Sequence, residues 1–393
     1  MVKDSFARRL MRSLATLAIG ISLIAGCAQS APQNNAQPEP AAENTTAIAE
    51  QPVDPIATRD ILPSWDQKSE AYQRLTSFVE SVVDPTSDQY LPPEERIVTT
   101  DMDGTFLCEK APTYFDQCFS LWHALHDPAY EAPADLKARS EAMLDEFYTG
   151  DITPEHGPEL NYTLAEAYTG HEPEELASDV LRFAESVDVV GFSGMKYGES
   201  FYKPMLEVID YLRANDFDVW VVSASERLVA RPICVSYAGF APDHVIGSDL
   251  IVRAANQDTA DGLDYTLEQD EELLIGGGMV SETGSTNKPI AILNEIGCRP
   301  IIAFGNSSGD YAMLNYTVTN PDHEGIGFLV LCDDTAREYG DLVRAAKQEK
   351  EAEDSKWVTI SMANDWSTIY GEGVERTQLA STHEEAVKLD AAA

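Results

Sequence analysis

The chain has 393 residues, 44% of them apolar, and a formal charge of −40, which is enough apolar material for one large domain or two smaller ones. So acidic a surface repels nucleic acid and anionic lipid headgroups, and gives an anionic substrate no long-range attraction. Any anion site in so acidic a chain would have to make its own positive potential, from a metal, a lysine and backbone N–H groups.

The N-terminus reads as an address. Lys3, Arg8, Arg9 and Arg12 precede an apolar run from Leu14 to Ala25. The run is shorter than the roughly 20 residues of a spanning helix but fits a signal peptide over residues 1–26. It ends in Ala25-Gly26-Cys27, and small residues before a cysteine resemble the bacterial lipoprotein signal. That resemblance implies cleavage before Cys27 and lipid attachment there. The protein is then exported and lipid-anchored, at the cell surface or in the periplasm, and touches the membrane through that lipid alone. An ordinary cleaved signal with an incidental cysteine is the alternative. Residues 27–60 are rich in Ala, Gln, Pro, Asn and Glu and are expected to form a flexible tether.

Ordered structure is expected from Ile61-Leu62-Pro63-Ser64-Trp65 onward. Tyr72, Leu75, Phe78, Val79 and Val82 are spaced for a helix from Ser69 to about Val83. Three apolar strands follow along the chain: Arg96–Thr100 before Asp101, Phe217–Val222 before Ser223, and Pro300–Phe304 before Gly305-Asn306. His244–Gly247 and Phe328–Leu331 are weaker strand candidates. A helix opens at Pro204, and another runs from about Pro289 to Ile296 and stops at Gly297. Short apolar strands alternating with amphipathic helices predict an α/β core, a Rossmann-like parallel sheet with helices on both faces. Functional groups gather beyond the C-terminal ends of such strands. Residues 110–198, mostly helical in pattern and rich in aromatics, are expected as an inserted helical cap. The core then spans 61–109 and 199–370, with a polar, Gly-rich hairpin or loop over 254–285 and a tail over 371–393.

Five cysteines remain beyond Cys27: Cys108, Cys118, Cys234, Cys298 and Cys332. No CxxC pair supports zinc-finger or thioredoxin chemistry. Export permits a Cys108–Cys118 disulfide, and the sequence leaves it open. The histidines form no metal motif; His123 and His126 read as the polar surface of a helix.

The chemistry begins at Asp101-Met102-Asp103-Gly104-Thr105. Two aspartates one residue apart, leaving a strand into a glycine turn, suit two roles. One carboxylate can attack phosphorus and bind a metal; the other can protonate the leaving oxygen and then activate water. The spacing of further acids and the terminal Glu that a calcium-binding EF-hand needs are absent. Ser223, in Val222-Ser223-Ala224-Ser225, can donate to a phosphate oxygen. Lys288 opens a helix in Thr286-Asn287-Lys288-Pro289. Gly305-Asn306-Ser307-Ser308-Gly309-Asp310 ends a strand with oxygen ligands for a hard cation.

Those four motifs, in that order, resemble the haloacid dehalogenase superfamily over roughly residues 61–370. The branch with a helical cap between the first and second motifs, which includes phosphoserine phosphatase, is the most similar. Leu62-Pro63-Ser64-Trp65, Glu109 with Ala111-Pro112, and Val358–Met362 through Asp365-Trp366 are similar to exported members. The resemblance implies a phosphatase with Asp101 as nucleophile and Asp103 as acid/base. It places Thr105, Ser223, Ala224 and Lys288 around the phosphate of a small substrate. It also implies Mg²⁺ held by Asp101, the Asp103 carbonyl, Asn306 and Asp310. Many relatives carry aspartate where Asn306 stands, so Asn306 and Asp310 compete as direct ligands. A dehalogenase would not need Asp103. A binding lipoprotein without catalysis would be expected to have lost one of Asp101, Asp103 or Lys288; a phosphotransferase stays open. Finally, a glutamate near the position of Glu109 holds the substrate's amino group in phosphoserine phosphatase-like proteins. With Tyr114, Phe115, Phe119 and Trp122 beside it, Glu109 is expected to favour substrates bearing an ammonium group. The competing expectation is that these aromatics are cap core and Glu109 a solvated acid.

Overall fold

Ile97-Val98-Thr99-Thr100 has no exposed residue and is β-branched throughout, which suits a strand packed on both faces. It is the central strand of a seven-stranded sheet in the computed structural model of the chain. The structure describes residues 61–109, 112–149 and 164–379. The signal segment, Cys27 and the tether expected over 27–60 lie outside the described residues.

In chain order the main elements are α1 (Glu70–Val83), β1 (Ile97–Thr100), α2 (Phe115–Leu125), α3 (Ala134–Thr149), α4 (Pro173–Ser186) and β2 (Phe192–Ser193). Then come α5 (Lys203–Ala214), β3 (Asp218–Glu226), α6 (Arg227–Ala238), β4 (Val245–Ala254), β5 (Leu273–Ser281) and α7 (Asn287–Glu295). The chain continues through β6 (Ile302–Gly305), α8 (Tyr311–Val318), β7 (Ile326–Leu331), α9 (Leu342–Ser355), β8 (Val358–Ser361) and β9 (Glu375–Arg376). The sheet order is β5-β4-β3-β1-β6-β7-β8. Every pairing is parallel except β4 with β5. This is the Rossmann-like α/β sheet expected from the strand–helix alternation.

Local chemistry accounts for the boundaries. Ser69 caps α1 by accepting the Tyr72 N–H, and the helix buries Leu75, Phe78, Val79 and Val82. Pro204 stands in the first turn of α5. Gly297, at φ +83°, takes the left-handed position that ends α7. The 254–285 excursion is a hairpin that lengthens the sheet edge, with β4 running on well past Gly247 into antiparallel pairing with β5.

The cap inserts after β1 and holds α2, α3 and α4. Its entering and leaving strands of chain bond to each other: Cys108 N–H donates to Ser200 O (2.8 Å) and Tyr202 N–H to Phe106 O (2.8 Å). The expected C-terminal tail is corrected over its first part. β9 pairs antiparallel with β2, so Glu375 and Arg376 are tied to the foot of the cap. Cys108 and Cys118 are not disulfide-bonded; the Cys118 thiol donates to Thr113 O (3.6 Å) and that of Cys108 faces Glu338. His123 is fully buried, not on a polar helix surface.

Candidate active site

Asp101 is the first residue beyond β1, and its N–H still donates to Phe304 O of β6 (2.9 Å). The sheet therefore fixes its position before the chain turns. The turn is a tight coil in which the Met102 carbonyl accepts the N–H groups of Thr105, Phe106 and Leu107, each at 3.1 Å. Gly104 has φ +80°, and a Cβ there would lie 1.8 Å from Asn306 Nδ2. Glycine is required by both the backbone conformation and the close approach. The coil brings the Asp103 carboxyl into the same cleft as Asp101.

Lys288, at the start of α7, is 2% exposed. Its Nζ donates to Asp101 Oδ1 (2.6 Å) and to Val222 O (2.6 Å), and lies 2.8 Å from Asp310 Oδ1. Burial opposes its charge, but Asp101 and Asp310 outweigh that and hold the amine above the usual lysine range. The other Asp310 oxygen accepts the N–H groups of Asn306 (3.0 Å) and Ser307 (2.9 Å). Asp310 thus closes the loop after β6 and anchors Lys288. Thr105, expected at the phosphate, instead donates to Asp101 Oδ2 (3.2 Å) and is fully buried, so it orients Asp101.

β3 runs on through Ser223 to Glu226, but its register with β4 shifts between Val222 and Glu226. The bulge turns Ser223, Ala224 and Ser225 into the cleft. A Cβ on Gly247 would stand 2.7 Å from Ser225 O, so the close approach of the bulge depends on that glycine. Ser225 Oγ donates to Asp103 Oδ2 (2.8 Å), and the Phe115 N–H at the start of α2 reaches Asp103 Oδ1 (3.3 Å). Burial, with Asp116 beside it, pushes the Asp103 carboxyl up to about 7 against those two hydrogen bonds. Burial and the charge of Asp310 push Asp101 up to about 7 against the pull of Lys288.

The cleft has a volume of about 240 Å³ and is also lined by Asp116, Gln117, Glu226 and Glu282. Ser225, Asp116 and Glu226 were not singled out as site residues from the sequence. The signal was faint: Ser225 follows Ser223 by two along a strand, and Glu226 is an acid closing an apolar one. Burial, followed by the charge of the neighbouring Glu226, holds Asp116 well above the usual carboxylate range. Glu109 is a correction. It is buried, and its two oxygens accept from Arg344 Nη1 at 2.9 and 3.0 Å. Arg344 Nη2 also donates to Asn306 O (3.2 Å). Glu109 therefore braces the loop after β6 and does not face the cleft as an ammonium receptor. Phe115 and Phe119 are cap core, packed on Phe183 at 5.6 Å between centroids; Tyr114 alone of the four aromatics lines the cleft.

The donors on the cleft wall are oxygens, from Asp101, Asp103, Asn306 and Asp310, which suits a hard cation such as Mg²⁺. Among the described lining residues Lys288 is the one cation, against six carboxyls. A divalent cation would offset that excess, so the residues fit one. Among the described residues no hydrogen bond occupies the Asn306 side-chain amide, whereas both Asp310 oxygens are engaged.

A family model described as haloacid dehalogenase-like hydrolase matches residues 98–315, more than half the chain and all four motifs. The chain belongs to the haloacid dehalogenase-like hydrolase family. Solved structures similar to this hydrolase include cytosolic 5′-nucleotidase IIIB bound to cytidine, at 15% identity, 85% coverage of this chain, 94% of that one and a TM-score of 0.44. A conserved protein of unknown function from Anaerococcus prevotii is 13% identical, with 80% and 98% coverage and a TM-score of 0.46. A phosphoserine phosphohydrolase-like protein from Francisella tularensis is 12% identical, with 75% and 99% coverage and a TM-score of 0.34. No functionally curated protein matches the sequence.

Proposed function

We propose that this hydrolase is a phosphatase that cleaves small phosphomonoesters through an aspartyl-phosphate on Asp101, with Mg²⁺ as cofactor. The observation that carries the reading is the placement of Asp101 and Asp103 in one buried cleft, with the Lys288 ammonium 2.6 Å from Asp101. An Asp101 oxygen attacks phosphorus, and the bond from phosphorus to the ester oxygen breaks. Asp103, held near 7 by its surroundings, gives its proton to the departing oxygen. Asp103, now a carboxylate, takes a proton from water as that water attacks phosphorus, and the bond to Asp101 breaks to release phosphate. Ser223 and the Ala224 backbone line the side of the cleft where the phosphate oxygens sit, and Lys288 neutralises charge there. Asp101, the Asp103 carbonyl and the Asn306 amide would hold Mg²⁺, with Asp310 behind them; the ion supplies Lewis-acid stabilisation of the phosphoryl charge.

Asp116, Glu226 and Glu282 also line the cleft, and we assign them to the side that takes the ester's leaving group. That wall favours a phosphomonoester carrying a cationic group, such as phosphocholine, phosphoethanolamine or phosphoserine, over a purely anionic ester. We further place the protein outside the cytoplasm, lipid-anchored at Cys27, on the strength of the leader sequence. The test is phosphate release from these three esters and from glycerol phosphate, with Mg²⁺ or a chelator, in native protein and Asp101→Asn. Metal-dependent release, greatest on the cationic esters and lost in the variant, supports the reading. Release that survives in folded Asp101→Asn overturns it.

A further inference from the structure

The cap holds a second constellation with metal-ligand chemistry. His123 on α2, His171 in the turn before α4 and Asp179 on α4 offer ligand atoms that all lie within 4.8 Å of one another. None of the three lines the Asp101 cleft.

The hydrogen bonds fix which nitrogen each histidine presents. His123 Nδ1 lies 2.8 Å from Asp127 Oδ2. A carboxylate only accepts, so Nδ1 carries the proton and the Nε2 lone pair is left over. That Nε2 is buried and, among the described residues, has no hydrogen-bond partner. His171 Nδ1 lies 3.2 Å from the Tyr168 carbonyl, which also only accepts. Its Nε2 faces Asp179 Oδ2 at 3.8 Å, beyond hydrogen-bond reach. Two imidazoles therefore donate through Nδ1 to oxygen and keep a bare Nε2, as metal-ligating histidines do, and a ligand atom of each lies within 4.8 Å of an Asp179 carboxylate oxygen. The remaining Asp179 oxygen is held by Arg182 Nη1 at 2.7 Å, and Arg182 also bonds Asp127. Arg182 thus orients both carboxylates while leaving Asp179 Oδ2 toward the histidines.

A purely structural role accounts for only part of this. The His123 ring stacks on Tyr130 with centroids 4.2 Å apart and planes 2° from parallel. Stacking and the Asp127 bond explain the ring and Nδ1 but leave the buried Nε2 unsatisfied, which carries the desolvation cost of an unpaired buried polar atom.

We propose that His123 Nε2, His171 Nε2 and Asp179 Oδ2 bind a zinc-class divalent metal ion in the cap, with Asp127 and the Tyr168 carbonyl fixing the histidine tautomers. Zinc ligands stand about 2.0–2.2 Å from the ion, so the three atoms must close together slightly. His171 and Asp179, with side chains 13% and 16% exposed, have the room to move and give the ion a way in. The ion would tie α2 to the start of α4 and so fix the cap that covers the active-site cleft.

The test is a titration of metal-free full-length protein with Zn²⁺ by calorimetry, and with Co²⁺ by visible absorption, in native protein, Asp101→Asn, Asp127→Asn, His171→Gln and Asp179→Asn. Asp101→Asn separates this site from the catalytic one. The expected result is one zinc equivalent retained in Asp101→Asn, with cobalt bands of a nitrogen/oxygen site. Affinity should fall at least ~10-fold in His171→Gln and in Asp179→Asn, and by ~10–100-fold in Asp127→Asn, whose side chain only orients His123. His171 and Asp179 are chosen because neither is fully buried; circular dichroism confirms that each variant folds. Zinc binding that disappears in Asp101→Asn, or that is unchanged in folded His171→Gln and Asp179→Asn, overturns the proposal.

Discussion

Asp103 is held in the cleft by two donors, the Ser225 hydroxyl and the Phe115 N–H. A general acid matters most when the leaving oxygen is a poor leaving group. Asp103→Asn is therefore expected to slow an alkyl phosphate by at least ~10²-fold more than an aryl phosphate, read as kcat/KM on the two esters; equal losses would argue against proton donation by Asp103. Lys288 is a different kind of residue, since it separates Asp101 from Asp310 in a site with almost no exposure. Lys288→Met leaves those two carboxylates facing each other, and removing one partner of a buried pair costs about 3–5 kcal/mol. Thermal denaturation should show that loss together with inactivity. Asp101, Asp103, Ser223, Lys288 and Asn306 were legible in the sequence because each stands at or beside the boundary of an apolar strand or an amphipathic helix. Asp116, Ser225 and Glu226 were not, because only the β3 bulge and the start of α2, held at Asp103 by the Phe115 N–H, bring them into the cleft. Glu109 was misread because its partner, Arg344, lies 235 residues along the chain, where no local pattern connects them.

At the scale of elements, the parallel sheet and the helices between β1 and β3 follow from runs such as Ile97–Thr100 and from the caps and glycines at the helix ends. The length of β4 was harder to read. Its first part is an apolar parallel strand, whereas its continuation is an exposed hairpin arm paired with β5. The Leu62-Pro63-Ser64-Trp65 and Asp365-Trp366 segments, far apart in sequence, meet as an antiparallel bridge between Trp65 and Trp366. Sequence marked both segments and could not show that they touch. The bulge in β3 gives a test of this level. Gly247→Ala places a methyl group against Ser225 O and the Arg227 backbone, and overpacking of that kind costs about 1–3 kcal/mol. A lower melting temperature and a lower kcat are expected together, because the Ser223–Ser225 segment must shift. Native kcat in a folded Gly247→Ala protein would show that the bulge does not set the site geometry. Arg344→Ala tests the brace on the other side. Loss of its bonds to Glu109 and to Asn306 O should raise the Mg²⁺ concentration for half activity without unfolding the chain.

At the scale of the molecule, acidity shapes both stability and chemistry. Burial pushes the Glu338 carboxyl from its ordinary 4.5 up to about 7, against hydrogen bonds from Tyr370 and the Tyr339 N–H. A carboxyl whose folded pKa is raised favours folding in its protonated form. Its contribution is complete below about 4.5 and is lost as pH rises through about 7. Glu338→Gln should therefore flatten the fall in melting temperature between pH 5 and pH 8, measured against native protein, and parallel curves would exclude this linkage. The same surplus of carboxyls surrounds Asp101 in the cleft, and the proposed reaction rests on that aspartate taking the phosphoryl group. The most direct measurement is to quench native protein in acid during turnover of an aryl phosphate with Mg²⁺, reduce with borohydride, and map the peptides by mass spectrometry. The account predicts conversion of Asp101, and of no other carboxyl, to homoserine. Sustained phosphate release with Asp101 unmodified, or with the mark on another residue, would contradict it.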